Sequence, residues 1–268
     1  MVRFSRLTEP KRVAGPKFFM ATNDDVASDE AMTEKERLLR GAIRDYYDRV
    51  YHRDAGFEAK ISHHLRRLAW HFQPWQGKRL LDVGCGSGTW LRATADLGAI
   101  PTGVDISQVA LDACKRALLS ADLHCGPAES LPFTEAQFDF VSCLGAIEHF
   151  LNPQAALREM VRVAKPNAVF LLLVPNADFL PRRFGMYSGT EQIAVHEEIR
   201  SLRGWQMLFE SVGLQVHRRW KDLHVLSFSW IMQGAWYLRP IRLAQAMALP
   251  FWPLSWQYQV YHFCSFKE

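Results

Sequence analysis

The sequence predicts an α/β protein built on a doubly wound, mostly parallel sheet. Short apolar segments of strand length alternate with stretches whose apolar residues recur at helical spacing, which is the pattern of βαβ units. The apolar segment Arg79–Val83 leads into a turn with glycines at alternate positions and then into a helical pattern. Residues 169–174 form an unbroken apolar run, typical of a parallel strand that is buried on both faces.

The region ahead of the first strand is expected to be a tail followed by two helices. Pro10, Gly15 and Pro16 interrupt residues 1–30, which we predict to be disordered, and Met1, Met20 or Met32 could each be the start. Apolar residues at helical spacing predict helices over 34–51 and 57–72, within a helical segment 31–75.

The glycine turn carries the strongest functional signal of the chain. Gly84, Gly86 and Gly88 follow the first strand, Asp82 lies inside that strand, and the next strand ends at Asp105. Glycines let the backbone turn tightly and approach a ligand, and a carboxylate about 20 residues later can accept from both hydroxyls of a ribose. A dinucleotide site requires G-x-G-x-x-G, whereas Thr89 occupies the third glycine position here.

The rest of the chain continues the alternation of helices and strands. Ser107 and Asn152 are predicted helix caps, and the helix predicted over 201–212 is closed by Gly213. Further strands are predicted at 100–105, 123–125, 138–144, 169–174, 214–220 and 257–266.

Two aromatic-rich insertions, 176–200 and 221–255, interrupt this plan. The first interpretation is that they build a substrate pocket at the carboxyl ends of the strands. They could instead cover apolar surface or form a dimer contact. A third interpretation is a peripheral membrane contact through 221–255, where Trp, Arg and apolar residues are interleaved, although no clean amphipathic stripe is visible in the sequence.

Composition restricts the class of protein further. The chain has 268 residues, 49% of them hydrophobic, and a net charge of +4 that is spread along its length. This balance gives little reason to expect a nucleic-acid partner. The five cysteines show no C-x-x-C spacing, which favours a reducing cytoplasm, and no apolar run reaches membrane-spanning length.

The pattern Asp-x-Gly-x-Gly-x-Gly from Asp82, together with Asp105, resembles the class I S-adenosylmethionine-dependent methyltransferases of the ubiquinone and menaquinone methylase type. The resemblance covers roughly residues 76–220 and implies a seven-stranded Rossmann-like methyltransferase domain over 76–268, with its last strand antiparallel and the helices of 31–75 covering the cofactor. It implies S-adenosylmethionine as cofactor, bound by Asp82, Gly84, Cys85, Gly86, Gly88, Asp105, Ile106, Ala128, Glu129, Leu144 and Gly145.

The match departs from the family after the third strand. The family reads Gly-Asp-Ala-Glu-x-Leu-Pro-Phe there, and Pro127 replaces the aspartate that would accept from the adenine amine. Adenine would then rest on backbone groups around Ala128 and on other side chains.

The resemblance also implies the candidate catalytic residues. His149 follows the fourth strand, and His196 matches a recurrent histidine of the pocket rim; either could act as a general base. Both could equally be structural or solvated histidines, and Glu148 is interpreted as structural. Methyl transfer depends mainly on positioning, so no fixed triad is expected, and we find no metal-ligand spacing.

The expected function is therefore methyl transfer from S-adenosylmethionine to a small-molecule acceptor, apolar or lipid-linked, with oxygen as the preferred nucleophile. Two alternatives stay open at this stage. The first is a non-catalytic, methyltransferase-like binding module, and the second is a nucleotide-dependent oxidoreductase, against which Thr89 argues.

Overall fold

The computed structural model describes residues 33–52, 61–183, 185, 197–223, 231–232 and 236–267. The predicted tail 1–30, the candidate base His196 and Trp230 of the second insertion lie outside the described residues. Among the helices that are described, none has the length and apolar character needed to cross a membrane.

The helices and strands follow the predicted order. The helices are α1 (Glu34–Tyr46), α2 (His63–His71), α3 (Thr89–Ala95), α4 (Gln108–Ala117), α5 (Pro153–Val163), α6 (Leu180–Arg183), α7 (Leu202–Ser211) and α8 (Arg239–Ala248). The strands are β1 (Arg79–Val83), β2 (Ile100–Asp105), β3 (Asp122–Cys125), β4 (Phe138–Leu144), β5 (Ala164–Pro175), β6 (Leu214–Lys221) and β7 (Gln259–Phe266). A π-helical turn, Tyr47–Tyr51, extends α1, and short 3₁₀ turns cover Ile147–His149, Trp236–Leu238, Leu249–Phe251 and Leu254–Trp256.

The sheet has seven strands in the order β3-β2-β1-β4-β5-β7-β6. Strands β1 to β5 pair in parallel, whereas β7 lies between β5 and β6 and runs antiparallel to both. The predicted doubly wound sheet with an antiparallel last strand is therefore confirmed. β1 is an interior strand, so the glycine turn that follows it opens at the middle of the carboxyl edge.

One strand boundary differs clearly from the prediction. β5 begins at Ala164, directly after α5, and not at residue 169. Phe138 pairs with Ala164 but Phe140 pairs with Val169, so the ladder is irregular between these positions. Pro166 lies in this irregular stretch, where its missing N–H does not interrupt a regular ladder.

Apolar side chains fill both faces of the sheet. One core joins β4 and β5 to α5 and α7 through Phe138, Phe170 and Trp205. The other joins β1 to α2 and α3 through Trp75 and Trp90. Local caps fix where the helices begin: the Asn152 side chain accepts from Ala155 N at 2.9 Å, with Pro153 at the first helical position.

His64 of α2 takes part in a polar contact with two buried side chains. Its Nε2 lies 3.2 Å from Oδ1 of Asp222 and 3.1 Å from the hydroxyl of Tyr261. Asp222 and Tyr261 are both buried. Because these groups are distant in sequence, helical periodicity alone gave no sign that this face of α2 meets the end of β6.

Candidate active site

The three glycines of the turn after β1 all adopt left-handed backbone angles, with φ of 74°, 52° and 75° at Gly84, Gly86 and Gly88. Two of them are also required by internal packing. A Cβ at Gly84 would collide with Ala146, and one at Gly88 would collide with Cys114 Sγ. At Gly86 a Cβ would meet only His52, at 3.9 Å, and would otherwise project into open space. Gly86 is thus the glycine whose bare backbone faces a cavity.

Asp105, at the end of β2, is held by backbone donors. Its Oδ2 accepts from Gly86 N at 2.8 Å, and its Oδ1 accepts from Ser107 N at 2.9 Å. Burial raises the pKa of Asp105, and these two N–H donors oppose the rise. Each carboxylate oxygen retains a further lone pair, so the group can still accept from the paired hydroxyls of a ribose.

The amides of the turn are directed into the protein. Gly84 N and Cys85 N both donate to Val104 O, at 2.8 and 3.1 Å, while Gly86 N donates to Asp105. A dinucleotide site uses such amides to bind the pyrophosphate. Since these three amides are already engaged, the turn argues against the oxidoreductase alternative.

A cavity of about 510 Å³ opens between this turn, the ends of β2 and β4, and α1. This volume lies within the range of roughly 300–1,000 Å³ that small-molecule sites occupy. Its lining contains most of the residues predicted from the sequence: Gly84, Cys85, Gly86, Asp105, Ile106, Ala128, Glu129, Leu144, Gly145 and His149. Pro127, where the chain departs from the family pattern, also lines it.

Two predicted cofactor residues, Asp82 and Gly88, do not reach the lining. Asp82 is buried behind it, and its Oδ1 accepts from Ser142 Oγ at 2.7 Å. Ser142 Oγ in turn accepts from Trp90 Nε1 at 3.0 Å. Burial raises the pKa of Asp82 to about 7, while the bond from Ser142 opposes the rise. Both residues therefore shape the wall of the cavity without facing it.

The N-terminal helix closes one side of the cavity. Arg40 and Ile43 of α1 line it. Tyr47 and Tyr51 of the π-helical turn also line it, as does His52, which directly follows that turn. The Ser107 hydroxyl donates to Asp48 at 2.5 Å, which fixes this turn against the start of α4. Burial lowers the pKa of His52, an effect that Asp105 partly offsets. His52 was missed from the sequence because a short π-helical turn has no clear periodic signature.

His149 lies in the 3₁₀ turn after β4, on the opposite wall from β2. Its ring meets the ring of Tyr47 edge-on, with centroids 6.4 Å apart. Burial raises the pKa of Tyr47, so this residue presents a neutral hydroxyl near His149. The structure therefore brings the candidate base together with the glycine turn and Asp105 around one cavity.

Glu148 is the most unusual side chain of this region. It is only 2% exposed, and its Oε2 makes no hydrogen bond within the described part of the chain. Its Oε1 lies beside Gly145, 3.9 Å from where a Cβ on that glycine would stand. Burial raises the pKa of Glu148 from 4.5 to about 8, and Glu197 adds to the rise. The sequence gave no sign of this burial, because Glu148 follows the strand in a short polar-looking turn.

The described parts of the two insertions are absent from the cavity lining. No residue of 176–183, 197–200, 221–223, 231–232 or 236–255 belongs to the cavity lining. Phe179 is buried, whereas Trp236 and Phe251 are 75% and 88% exposed. Within these described parts, the aromatic residues of the insertions therefore do not form the wall of this cavity. Over the same described portion of the chain, no cluster of three potential metal ligands occurs.

Known proteins support the methyltransferase resemblance. Residues 81–172 match the family described as the methyltransferase domain. The ubiquinone biosynthesis O-methyltransferase of Coxiella burnetii is 33% identical over 108 residues, which are 39% of this chain and 46% of that protein. The chain thus spans about half the length of the curated relative it matches.

Solved structures agree on the fold. One match is a chain in the complex between the Haloferax volcanii Trm112 methyltransferase activator and a methyltransferase, with a TM-score of 0.63 and 21% identity. The match covers 84% of this chain and 98% of that one. Phosphoethanolamine N-methyltransferase 2 of Haemonchus contortus, solved with phosphomonomethylethanolamine and S-adenosylhomocysteine, matches with a TM-score of 0.60 and 17% identity. It covers 84% of this chain and 59% of that chain.

The residues present fit S-adenosylmethionine. Gly86 leaves room for a ligand against its backbone, and Asp105 offers carboxylate oxygens at the end of β2. Ile106 and Leu144 add apolar surface to the same cavity. The engaged amides of the turn suit a ligand without phosphates.

Proposed function

Starting from the class I S-adenosylmethionine-dependent methyltransferase domain of this chain, we propose that the protein transfers a methyl group to an oxygen atom of a small, apolar or lipid-linked acceptor. The observation that carries this proposal is the single cavity shared by Gly86, Asp105 and His149. The Coxiella burnetii relative is named an O-methyltransferase, which supports oxygen as the acceptor atom.

The cofactor would be held by residues on three sides of the cavity. Asp105 would accept from the ribose hydroxyls, the backbone around Pro127 and Ala128 would contact the adenine, and Gly86 with Gly145 would contact the methionine half. When bound, S-adenosylmethionine supplies a methyl group already activated by a sulfonium. The protein therefore needs mainly to position the acceptor and exclude water.

His149 would serve as the general base for a hydroxyl acceptor. The His149 imidazole would accept the proton that the acceptor hydroxyl gives up as it takes the methyl group. Tyr47, whose ring meets that of His149, would keep the imidazole oriented. His196, which lies outside the described residues, stays a second candidate base from the sequence.

Calorimetry with S-adenosylhomocysteine tests the cofactor site. Asp105→Ala removes two charge-assisted hydrogen bonds worth ~1.5–3 kcal/mol each, so affinity should fall by about 10²–10⁴-fold. Unchanged affinity in this variant, or tighter binding of NAD than of S-adenosylhomocysteine by the unmodified protein, would contradict the assignment.

The base is tested with methyl-labelled S-adenosylmethionine and an alkyl-substituted catechol as a model acceptor. His149→Ala should keep its affinity for S-adenosylhomocysteine and lose ~10²–10⁴ in turnover. Normal turnover in both His149→Ala and His196→Ala would mean that positioning alone catalyses the transfer. If S-adenosylhomocysteine binds but no acceptor of this class is methylated, the binding-module alternative gains support.

A further inference from the structure

The segment 236–251 presents an apolar surface that the cavity does not use. Its exposed side chains include Trp236 (75% exposed), Tyr237 (63%), Ile241 (57%), Leu243 (49%), Met247 (67%) and Phe251 (88%). In α8 only Ala246 is buried, so the helix rests on the protein through a small contact. We call these six side chains the α8 patch. Scattered exposed apolar residues are common, but six within sixteen consecutive positions are an unusually dense group.

The apolar residues of the α8 patch recur at helical spacing. Trp236, Leu243, Met247 and Phe251 are separated by three or four residues or by multiples of that spacing, which directs them to one side of the helix. Ala246, the buried residue of α8, lies at the border of this group, three residues after Leu243. The structure adds that all four of these side chains are exposed, and that the 3₁₀ turns Trp236–Leu238 and Leu249–Phe251 adjoin the two ends of α8.

The charged side chains of the segment that carries this patch have one sign. Between Asp222 and Glu268 the sequence contains no aspartate or glutamate, whereas Arg239 and Arg242 lie within α8 itself. Trp and Tyr with flanking arginines and no carboxylates match the interfacial zone of a bilayer that contains anionic lipids. A partner protein of acidic character would also suit the arginines, but it would not require such a density of exposed large apolar side chains.

The α8 patch is attached to the carboxyl edge of the sheet. Lys221, at the end of β6, donates to Leu249 O at 3.4 Å. Asn176, at the end of β5, donates through Nδ2 to Ser255 O at 2.8 Å. The cavity opens at the same edge, after β1, β2 and β4. A surface bound through the patch would therefore lie on the side of the molecule from which the cavity is entered.

We propose that the α8 patch docks the protein on the surface of a membrane rich in anionic phospholipid, with α8 lying in the plane of the interface. The basis is the exposed apolar stripe, the arginines beside it and the absence of carboxylates from 223–267. Docking rests on this surface and does not depend on the proposed methyl transfer.

Sedimentation with vesicles tests the proposal. The full chain is mixed with vesicles of phosphatidylcholine containing 30% phosphatidylglycerol, with vesicles of phosphatidylcholine alone, and with no vesicles. We expect binding to the mixed vesicles that falls severalfold without phosphatidylglycerol, because the arginines then lose their lipid counterions. The double variant Trp236→Ala/Phe251→Ser should bind at least about 10-fold more weakly, because it removes the two most exposed aromatic rings of the patch.

A matched control lies on α2. Trp70 is 70% exposed, close to Trp236, and Trp70→Ala should bind vesicles as the unmodified protein does. The proposal is wrong if the unmodified protein stays in solution with the mixed vesicles, or if both tryptophan variants bind equally well. A third outcome also contradicts it: without lipid the unmodified protein sediments as a dimer, and Trp236→Ala/Phe251→Ser sediments as a monomer that still binds vesicles. The patch would then be a contact between copies of the chain. Circular dichroism of each variant checks that the fold is retained.

Discussion

Replacing Glu148 by glutamine should make the protein more stable, and increasingly so as the pH rises. In the folded chain burial raises the pKa of Glu148 to about 8, whereas an unfolded chain would ionise this group near 4.5. Between these values the unfolded state has released the proton and the folded state retains it. The folded state therefore loses stability as the pH rises from about 4.5 to about 8.

The size of the effect follows from the pKa difference. At about 1.4 kcal/mol per pKa unit, the full cost of keeping Glu148 buried approaches about 5 kcal/mol above pH 8. Integrating over the titration gives a cost of roughly 1 kcal/mol at pH 5.5 and of between about 4 and 5 kcal/mol at pH 8.5. Glu148→Gln has the shape of the protonated acid and no charge. Its stability relative to the unmodified protein should thus grow by about 3 kcal/mol between these pH values.

Urea unfolding at pH 5.5, 7.0 and 8.5 measures this difference, with the shift in midpoint at constant slope as the readout. Glu210→Gln is the matched control, because Glu210 is exposed on α7 and its replacement removes the same charge. The same linear extrapolations give the difference in unfolding free energy between Glu148→Gln and the unmodified protein at each pH. The reasoning is refuted if this difference stays constant within about 0.5 kcal/mol from pH 5.5 to pH 8.5. Such a result would mean that the folded protein ionises Glu148 as readily as the unfolded chain does.

The glycine turn supplies two further predictions. Gly86→Val should weaken binding of S-adenosylhomocysteine at least about 100-fold in calorimetry, because the valine side chain enters the cavity. The control is Gly41→Val, which lies on an exposed part of α1 with nothing within 4 Å of the new Cβ and should leave binding unchanged. Equal affinities would show that the ligand does not lie against Gly86. Gly88→Ala should lower the free energy of unfolding by about 2–4 kcal/mol, because its Cβ collides with Cys114 at a left-handed backbone angle. Adding Cys114→Ala should restore part of that loss, and no recovery would assign the cost to backbone strain alone.

The sequence predicted the sheet well because its signals are local. Every predicted strand overlaps an observed one, and the side-chain caps Ser107 and Asn152 located the starts of α4 and α5. The glycine turn and Asp105 could be predicted because a ligand that approaches the backbone at the end of a strand requires glycines there and a carboxylate at a fixed distance along the sequence. The start of β5 was predicted at residue 169, five residues too late. A proline such as Pro166 ends a helix whether a loop or an irregular strand follows, so the sequence did not distinguish the two.

Contacts between distant residues were beyond the sequence. Nothing local distinguishes His64, which pairs with Asp222 across 158 positions, from an exposed histidine of an amphipathic helix. The burial of Glu148 depends on how the 3₁₀ turn after β4 packs against β5 and the chain near Glu197. The cavity wall formed by Tyr47 and His52 depends on a π-helical turn, whose side chains do not follow the periodicity that predicts α1.

The electrostatics of the cavity favour a ligand that carries positive charge. Asp105 lines it, whereas Asp82 and Glu148 are buried next to the lining residues Val83 and His149, and burial raises the pKa of each of the three carboxyl groups. Asp82 accepts from Ser142 Oγ and Asp105 accepts from backbone N–H groups, which are neutral donors, so no cation at those contacts offsets the desolvation of these two carboxyl groups. A bound cation would stabilise their ionised forms and lower these pKa values. A sulfonium with an α-ammonium group supplies such charge, whereas a nicotinamide dinucleotide would bring two phosphates into the same field. The arrangement of carboxylates therefore supports S-adenosylmethionine independently of the glycine pattern.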